Sequence, residues 1–137
     1  MSLRFGILME ERDALQMNAL QLAYVGDTVW EMIVRLELIH RRYNVHHMHQ
    51  KCVSLVNARS QAGILAALQE ELTETEKEIV RRGRNTHAKH PSPKHQQPDD
   101  YAASTGFEAL LGFLYLTGQN ERIRDLVDQI RKVDLYV

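Results

Sequence analysis

Apolar residues recur along the first third of the chain at Leu15, Ala19, Leu22, Gly26, Val29, Ile33 and Leu36, at intervals of 4, 3, 4, 3, 4 and 3. This spacing predicts one helix from about Leu15 to Ile39 with one face turned to a core. Two shorter helical patterns follow, about His47–Asn57 and Arg59–Glu70, with Met48, Cys52, Leu55, Ile64, Leu65 and Leu68 facing in. Thr73 and Glu76 in "TETE" have the spacing of a capping box, and the helix they open carries Ile79 and Val80 and stops at Gly83. "STGFEALLGFLYLTG" reads as a further helix ended by Gly118. Asn120 then caps a last one whose inward residues are Ile123, Leu126, Val127 and Ile130. No stretch alternates with period two for long enough to make a strand, so the expected fold is all-α, one domain over residues 1–137. Residues 1–14 precede the first periodic stretch and read as a disordered or partly tag-derived lead.

One segment breaks the pattern. All 3 prolines fall between Gly83 and Tyr101, which predicts a basic, Pro-containing loop over residues 84–100. From Arg81 to His95 the text is "RRGRNTHAKHPSPKH", with Arg81, Arg82, Arg84, Lys89 and Lys94 and no acid. A connection this long in a small domain is functional or disordered. The net charge of -1 conceals this patch, because the compensating acids lie elsewhere.

Two acids sit where stability would prefer apolar residues. Asp27 follows Gly26 on the edge of the first apolar stripe, where a partly buried carboxylate is costly without a cation or donors to hold it. Glu108 stands among Phe107, Ala109, Leu110 and Leu111, in the most apolar stretch of the chain. Carboxylates on two packed helices repel when they face each other, unless a hard cation such as Mg²⁺ lies between them. The plainer alternative is that both are helix-end acids or ion-pair partners. Glu31, one turn beyond Asp27, shares its face and either assists through water or is a solvated helix acid.

Composition narrows the class further. A chain of 137 residues that is 44% hydrophobic and 26% charged suits one globular domain, and no apolar run is long enough to span a membrane. The single cysteine, Cys52, excludes an internal disulfide, reads as core, and suits a reducing cytoplasm. The histidines of "HHMH" (His46 to His49), with His87, His90 and His95, lack both a second cysteine and helical i, i+4 ligand geometry, so they read as surface or loop residues rather than a zinc site. Trp30 and Tyr24 read as core or subunit interface.

These residues carry a resemblance. "LAYVGDTVWE" resembles the signature helix of ribonuclease III, and "FEALLGFLYL" its second acidic helix. "VNARSQAGIL", "RRGRN" and "STGFEALLGFLYL" extend the likeness to the Mini-III branch, which has the catalytic domain without a double-stranded-RNA-binding domain. The resemblance implies a ribonuclease III-type helical bundle and a Mg²⁺-dependent endonuclease that cuts double-stranded RNA as a cytoplasmic homodimer. The implied target is precursor 23S ribosomal RNA, and whether a ribosomal protein presents it stays open. Asp27 and Glu108 carry over as catalytic and metal-binding residues. Ribonuclease III proper has further acids where this chain has Leu20, Ala23 and Thr105, so its full carboxylate cluster does not carry over. Arg82, Arg84, Lys89 and Lys94 become candidate phosphate ligands and Asn85 a candidate 2′-hydroxyl partner. Two rival readings stand beside this one. A non-catalytic helical RNA- or protein-binding module would lack one motif acid, and both are present. A helical hydrolase of small phosphorylated substrates would pair histidines with acids, yet "HD" and "HE" occur nowhere.

Overall fold

The structure, a computed structural model, describes residues 1–86 and 97–132. Among these residues there is no strand. Seven helices follow in order: α1 (Glu11–Leu15), α2 (Ala19–His40), α3 (Val45–Leu55), α4 (Ala58–Leu68), α5 (Glu74–Asn85), α6 (Pro98–Leu116) and α7 (Asn120–Lys132), with a short 3₁₀ turn at Gln69–Glu71. The helices start where the local chemistry dictates. Asn18, Asn44 and Asn57 cap α2, α3 and α4 through their side chains. Thr73 and Glu76 form the expected reciprocal box at the start of α5. Pro98 opens α6 from its first turn, where a missing N–H is harmless.

Helix α6 is the axis of the fold, with 11 of its 19 residues buried, and α2, α4 and α5 pack around it. Two of these contacts need glycine. A Cβ on Gly26 of α2 would lie 1.6 Å from the Glu108 carbonyl oxygen, and one on Gly112 of α6 would lie 1.9 Å from that of Leu22. A Cβ on Gly83 of α5 would sit 2.6 Å from the Gly106 Cα. The helices touch backbone to backbone at both crossings, which only a missing side chain permits.

Several expectations shift. The long helix begins at Ala19 rather than Leu15, and part of the expected lead is itself helical as α1. The Met9 N–H donates to the Leu116 carbonyl at 2.8 Å, tying the segment before α1 to the end of α6. The buried stripe of α2 is Leu22, Ala23, Gly26, Trp30, Val34 and Leu38, whereas Leu36 is exposed and Val29 and Ile33 are only partly covered. Gly83 does not end α5. It lies inside the helix because Gly106 needs the space, so Arg84 and Asn85 belong to the last turn of α5 rather than to a loop. The connection between α5 and α6 is shorter at both ends than the expected 84–100. Asn120 is the first residue of α7 and not its cap, the Gln119 carbonyl accepting the first helical bond from Ile123.

Candidate active site

The crossing of α2 and α6 builds the site. Because Gly26 lets the Glu108 backbone approach so closely, the next residue on α2, Asp27, is carried to the Glu108 side chain. The two carboxyls meet within hydrogen-bonding reach, so of the two readings left open by their spacing it is the convergent one that the crossing brings about. Their surroundings differ. Asp27 is exposed, whereas Glu108 is largely covered by its helix neighbours. Burial, then the hydrogen bond and the negative charge of Asp27, push the Glu108 carboxyl up to about 8, and the Gln61 amide works in the opposite direction. At neutral pH the Glu108 carboxyl thus stays largely protonated.

A third residue completes the pocket, one that the sequence reading missed. Gln61 of α4 is 2% exposed, and its Nε2 donates to Glu108 Oε2 at 3.4 Å. Its Oε1 accepts a hydrogen bond from Ser104 Oγ, itself buried one helical turn before Glu108. A buried glutamine among core residues of α4 was the available signal, since an unpartnered amide there would be costly. Phe107, next to Glu108 in the chain, is core. Phe107 packs edge-on against Trp30 with ring centroids 5.2 Å apart, and Trp30 donates its indole N–H to the Leu55 carbonyl at 3.0 Å. Trp30 is therefore core and not interface.

Glu31 is on the turn beyond Asp27 but is held by Arg35 at 2.6 Å. Tyr24, on the outer side of α2, is 84% exposed and is not core. Beside it, Asp27 stands at the edge of a groove of about 1130 Å³ that runs along α2 past Thr28, Met32 and Leu36 toward Arg124 and Asp128 of α7.

The basic residues divide. Arg82 spans back to the start of the bundle, where its guanidinium donates to the carbonyls of Leu15 (2.9 Å) and Met17, so it ties α1 and the entry to α2 onto α5. Two of its five N–H donors are thereby engaged within the bundle, which gives Arg82 a structural role beside the expected phosphate contact. Arg81 is paired with Glu78. Arg84 and Asn85 are exposed at the end of α5, and Lys89 and Lys94 lie outside the described residues, with His87, His90 and His95. His46, His47 and His49 are exposed on α3, and among the described residues no group of three or more His, Cys, Asp or Glu gathers in metal-binding geometry. No described helix is long and apolar enough to cross a membrane.

Comparison with known proteins agrees with this architecture. A Ribonuclease III domain matches residues 20–119, a span that contains both acidic helices. The Mini-ribonuclease 3 of Symbiobacterium thermophilum is 47% identical over 114 residues, covering 82% of this chain and 87% of that protein. That of Streptococcus pneumoniae is 40% identical over 126 residues, covering 89% and 98%. A Fusobacterium nucleatum protein of known crystal structure superposes with a TM-score of 0.79 at 27% identity, covering 89% of this chain and 98% of its own. With its fold, its two acidic helices and these relatives in agreement, the chain belongs to the ribonuclease III family, in its Mini-ribonuclease 3 group, and is an endoribonuclease.

Proposed function

We propose that the chain cleaves double-stranded RNA with a divalent cation, Mg²⁺, held by Asp27 and Glu108, and that it acts as a cytoplasmic homodimer in maturation of precursor 23S ribosomal RNA. The observation that carries the reading is the meeting of two carboxyls at the α2–α6 crossing, one of them kept protonated by the other and by burial. The donor set fits the cation. Hard carboxylate oxygens, one exposed to incoming solvent and substrate, suit a magnesium shell that keeps several waters. When bound, the cation supplies an acidified water and charge neutralisation at the scissile phosphate.

The chain's own residues supply the rest. Asp27, at the open side, faces the substrate. Glu108 is half-buried at the crossing, where Gln61 Nε2 donates to its Oε2. Arg84 and Asn85 are exposed at the end of α5 and, with Lys89 and Lys94 of the sequence that follows, contact RNA phosphates and 2′-hydroxyls in this reading. Arg82 holds the base of that helix in place. The exposed apolar residues on the outer face of α2, Tyr24 (84%), Met32 (56%), Leu36 (51%) and Ile39 (58%), support the homodimer. One carboxylate pair serves one strand, so a twofold axis matches the two strands of a duplex.

Incubating the purified protein with labelled duplex and single-stranded RNA, in Mg²⁺ and in EDTA, tests the substrate and the cation together. Duplex cleavage confined to the Mg²⁺ arm is expected. Equal cutting in EDTA, or cutting of single strands alone, refutes the reading.

A further inference from the structure

Ser104 and Gln61 form a chain of hydrogen bonds that ends on Glu108, and no part of the chemistry above uses it. Gln61 is buried to 2% and Ser104 to 7%, so neither meets water or RNA. The Ser104 hydroxyl donates to Gln61 Oε1, so that the amide N–H is left for Glu108. Were the amide turned over, its oxygen would face Glu108 Oε2, acceptor against acceptor when Glu108 is ionised, as a metal ligand must be. In the observed orientation Nε2 faces it, at 3.4 Å. Ser104 and Glu108 are on the same helix one turn apart, while Gln61 comes from α4. The bridge therefore references the Glu108 carboxylate to a second helix, independently of the contact with Asp27. The 3.4 Å separation is long for a hydrogen bond, so the arrangement contributes more to orientation than to binding energy.

We propose that Gln61, oriented by Ser104, is a positioning residue that holds the Glu108 carboxylate in its metal-binding pose. This rests on the reading of Asp27 and Glu108 as metal ligands. A carboxylate free to rotate must be ordered each time a cation binds, and lost orientation in a coordination shell lowers affinity by roughly tenfold or more. Of the two Glu108 oxygens, Oε2 is the one that Gln61 engages.

The test uses Mn²⁺ as the probe, with its free concentration read by electron paramagnetic resonance alongside thermal melting and duplex cleavage. Four variants are compared with the parent: Asp27→Asn, Gln61→Met, Ser104→Ala, and Gln61→Met with Ser104→Ala. Met keeps the length and volume of Gln without its donor. Gln61→Met is expected to weaken Mn²⁺ binding about tenfold and to lower the cleavage rate at saturating RNA, with the RNA concentration for half-maximal rate unchanged. Excess Mn²⁺ should restore part of that rate. Ser104→Ala should act in the same direction by a smaller factor, and the double variant should bind Mn²⁺ no more weakly than Gln61→Met, because Ser104 acts only through Gln61. A folded Gln61→Met protein with parental Mn²⁺ affinity, when Asp27→Asn has lost it, overturns the positioning role alone. Additive losses in the double variant overturn the dependence of Ser104 on Gln61. Parental Mn²⁺ binding in Asp27→Asn overturns the metal-site reading itself and this inference with it. Should Gln61→Met fail to fold, the Ser104→Ala variant decides by the same measurement: weakened Mn²⁺ binding supports the proposal and parental binding overturns it.

Discussion

Substituting Gly26 with alanine perturbs the point on which the active site is built. The added Cβ would lie 1.6 Å from the Glu108 carbonyl oxygen, 2.5 Å from its carbon and 2.8 Å from the Gly112 nitrogen. All three are backbone atoms of a buried helix, so no rotamer change relieves the clash. Relief to ordinary contact near 3.5 Å requires the helices to part by roughly 2 Å along that line. Overpacking of a tight core costs about 1–3 kcal/mol, and a backbone-on-backbone clash belongs at the top of that range. For a domain this size about 3 kcal/mol lowers the melting temperature by about 10 °C. The catalytic effect is larger in proportion. The same shift moves Asp27 away from Glu108, and about 1 Å of misplacement in a catalytic constellation costs on the order of 10²-fold in rate. Gly63→Ala is the matched control, since it lies exposed in α4 with nothing within 4 Å of a Cβ there. It should be neutral or gain about 0.5–1 kcal/mol, as alanine replaces glycine in a helix. Differential scanning fluorimetry and duplex cleavage measured on both variants decide the matter. A Gly26→Ala protein with parental melting temperature and parental rate refutes the close-crossing account.

Four further outcomes follow from the geometry. Glu108→Gln in metal-free buffer should be more stable than the parent near neutral pH, while losing cleavage of duplex RNA. The folded carboxyl titrates near 8 and the unfolded one near 4.5, so the folded parent holds the extra proton between those values and its stability falls as pH rises through that window. The difference between variant and parent, from denaturant melts at pH 5, 6, 7 and 8, should grow with pH, and a flat difference contradicts the shift. Arg122→Ala should cost about 3–5 kcal/mol, because Glu76 (4% exposed) would lose both bonds from that guanidinium; urea unfolding checks it, and catalysis per folded molecule should be unchanged. Burial alone would raise the Glu76 carboxyl, but Arg122 and the Thr73 N–H hold it below the usual carboxylate range, so this contribution to stability is lost as pH falls through the lowered value. Tyr24→Arg with Met32→Glu should sediment as a monomer where the parent sediments as a dimer; parental sedimentation would place the interface elsewhere. Neutralising Arg84, Lys89 and Lys94 together should flatten the log–log dependence of RNA affinity on salt, by roughly 0.7–0.9 per lost phosphate contact, whereas Arg82→Gln should lower the melting temperature.

The all-α class, the order of the helices, the Thr73 capping box and the pairing of Asp27 with Glu108 were legible because each rests on local pattern or on a residue type out of place. The register of α2 was not. Its outer face carries Tyr24, Met32, Leu36 and Ile39 in addition to the buried stripe, so apolar residues nearly encircle the helix and periodicity cannot select the inward face. Gly83 reads as a stop signal because glycine ends helices so often. Its role as the contact point for Gly106 depends on a helix more than 20 residues further on. Arg82 reads as one charge in a basic run, and its carbonyl partners lie 65 and 67 residues earlier. Gln61 shows the same limit, since a polar residue on an inward position declares that a partner exists without saying which. The Lys89 and Lys94 expectations lie outside the described residues.

If phosphodiester cleavage takes place at the Asp27–Glu108 pair, both carboxylates are indispensable to it. Single-turnover cleavage of a duplex RNA at saturating Mg²⁺ by Asp27→Asn and Glu108→Gln, with RNA affinity measured separately by filter binding in Ca²⁺, tests it most directly. Both variants should bind duplex RNA within a few-fold of the parent and cut it at least about 10³-fold more slowly, about 4 kcal/mol of lost transition-state stabilisation. Either variant cutting at the parental rate would contradict the account.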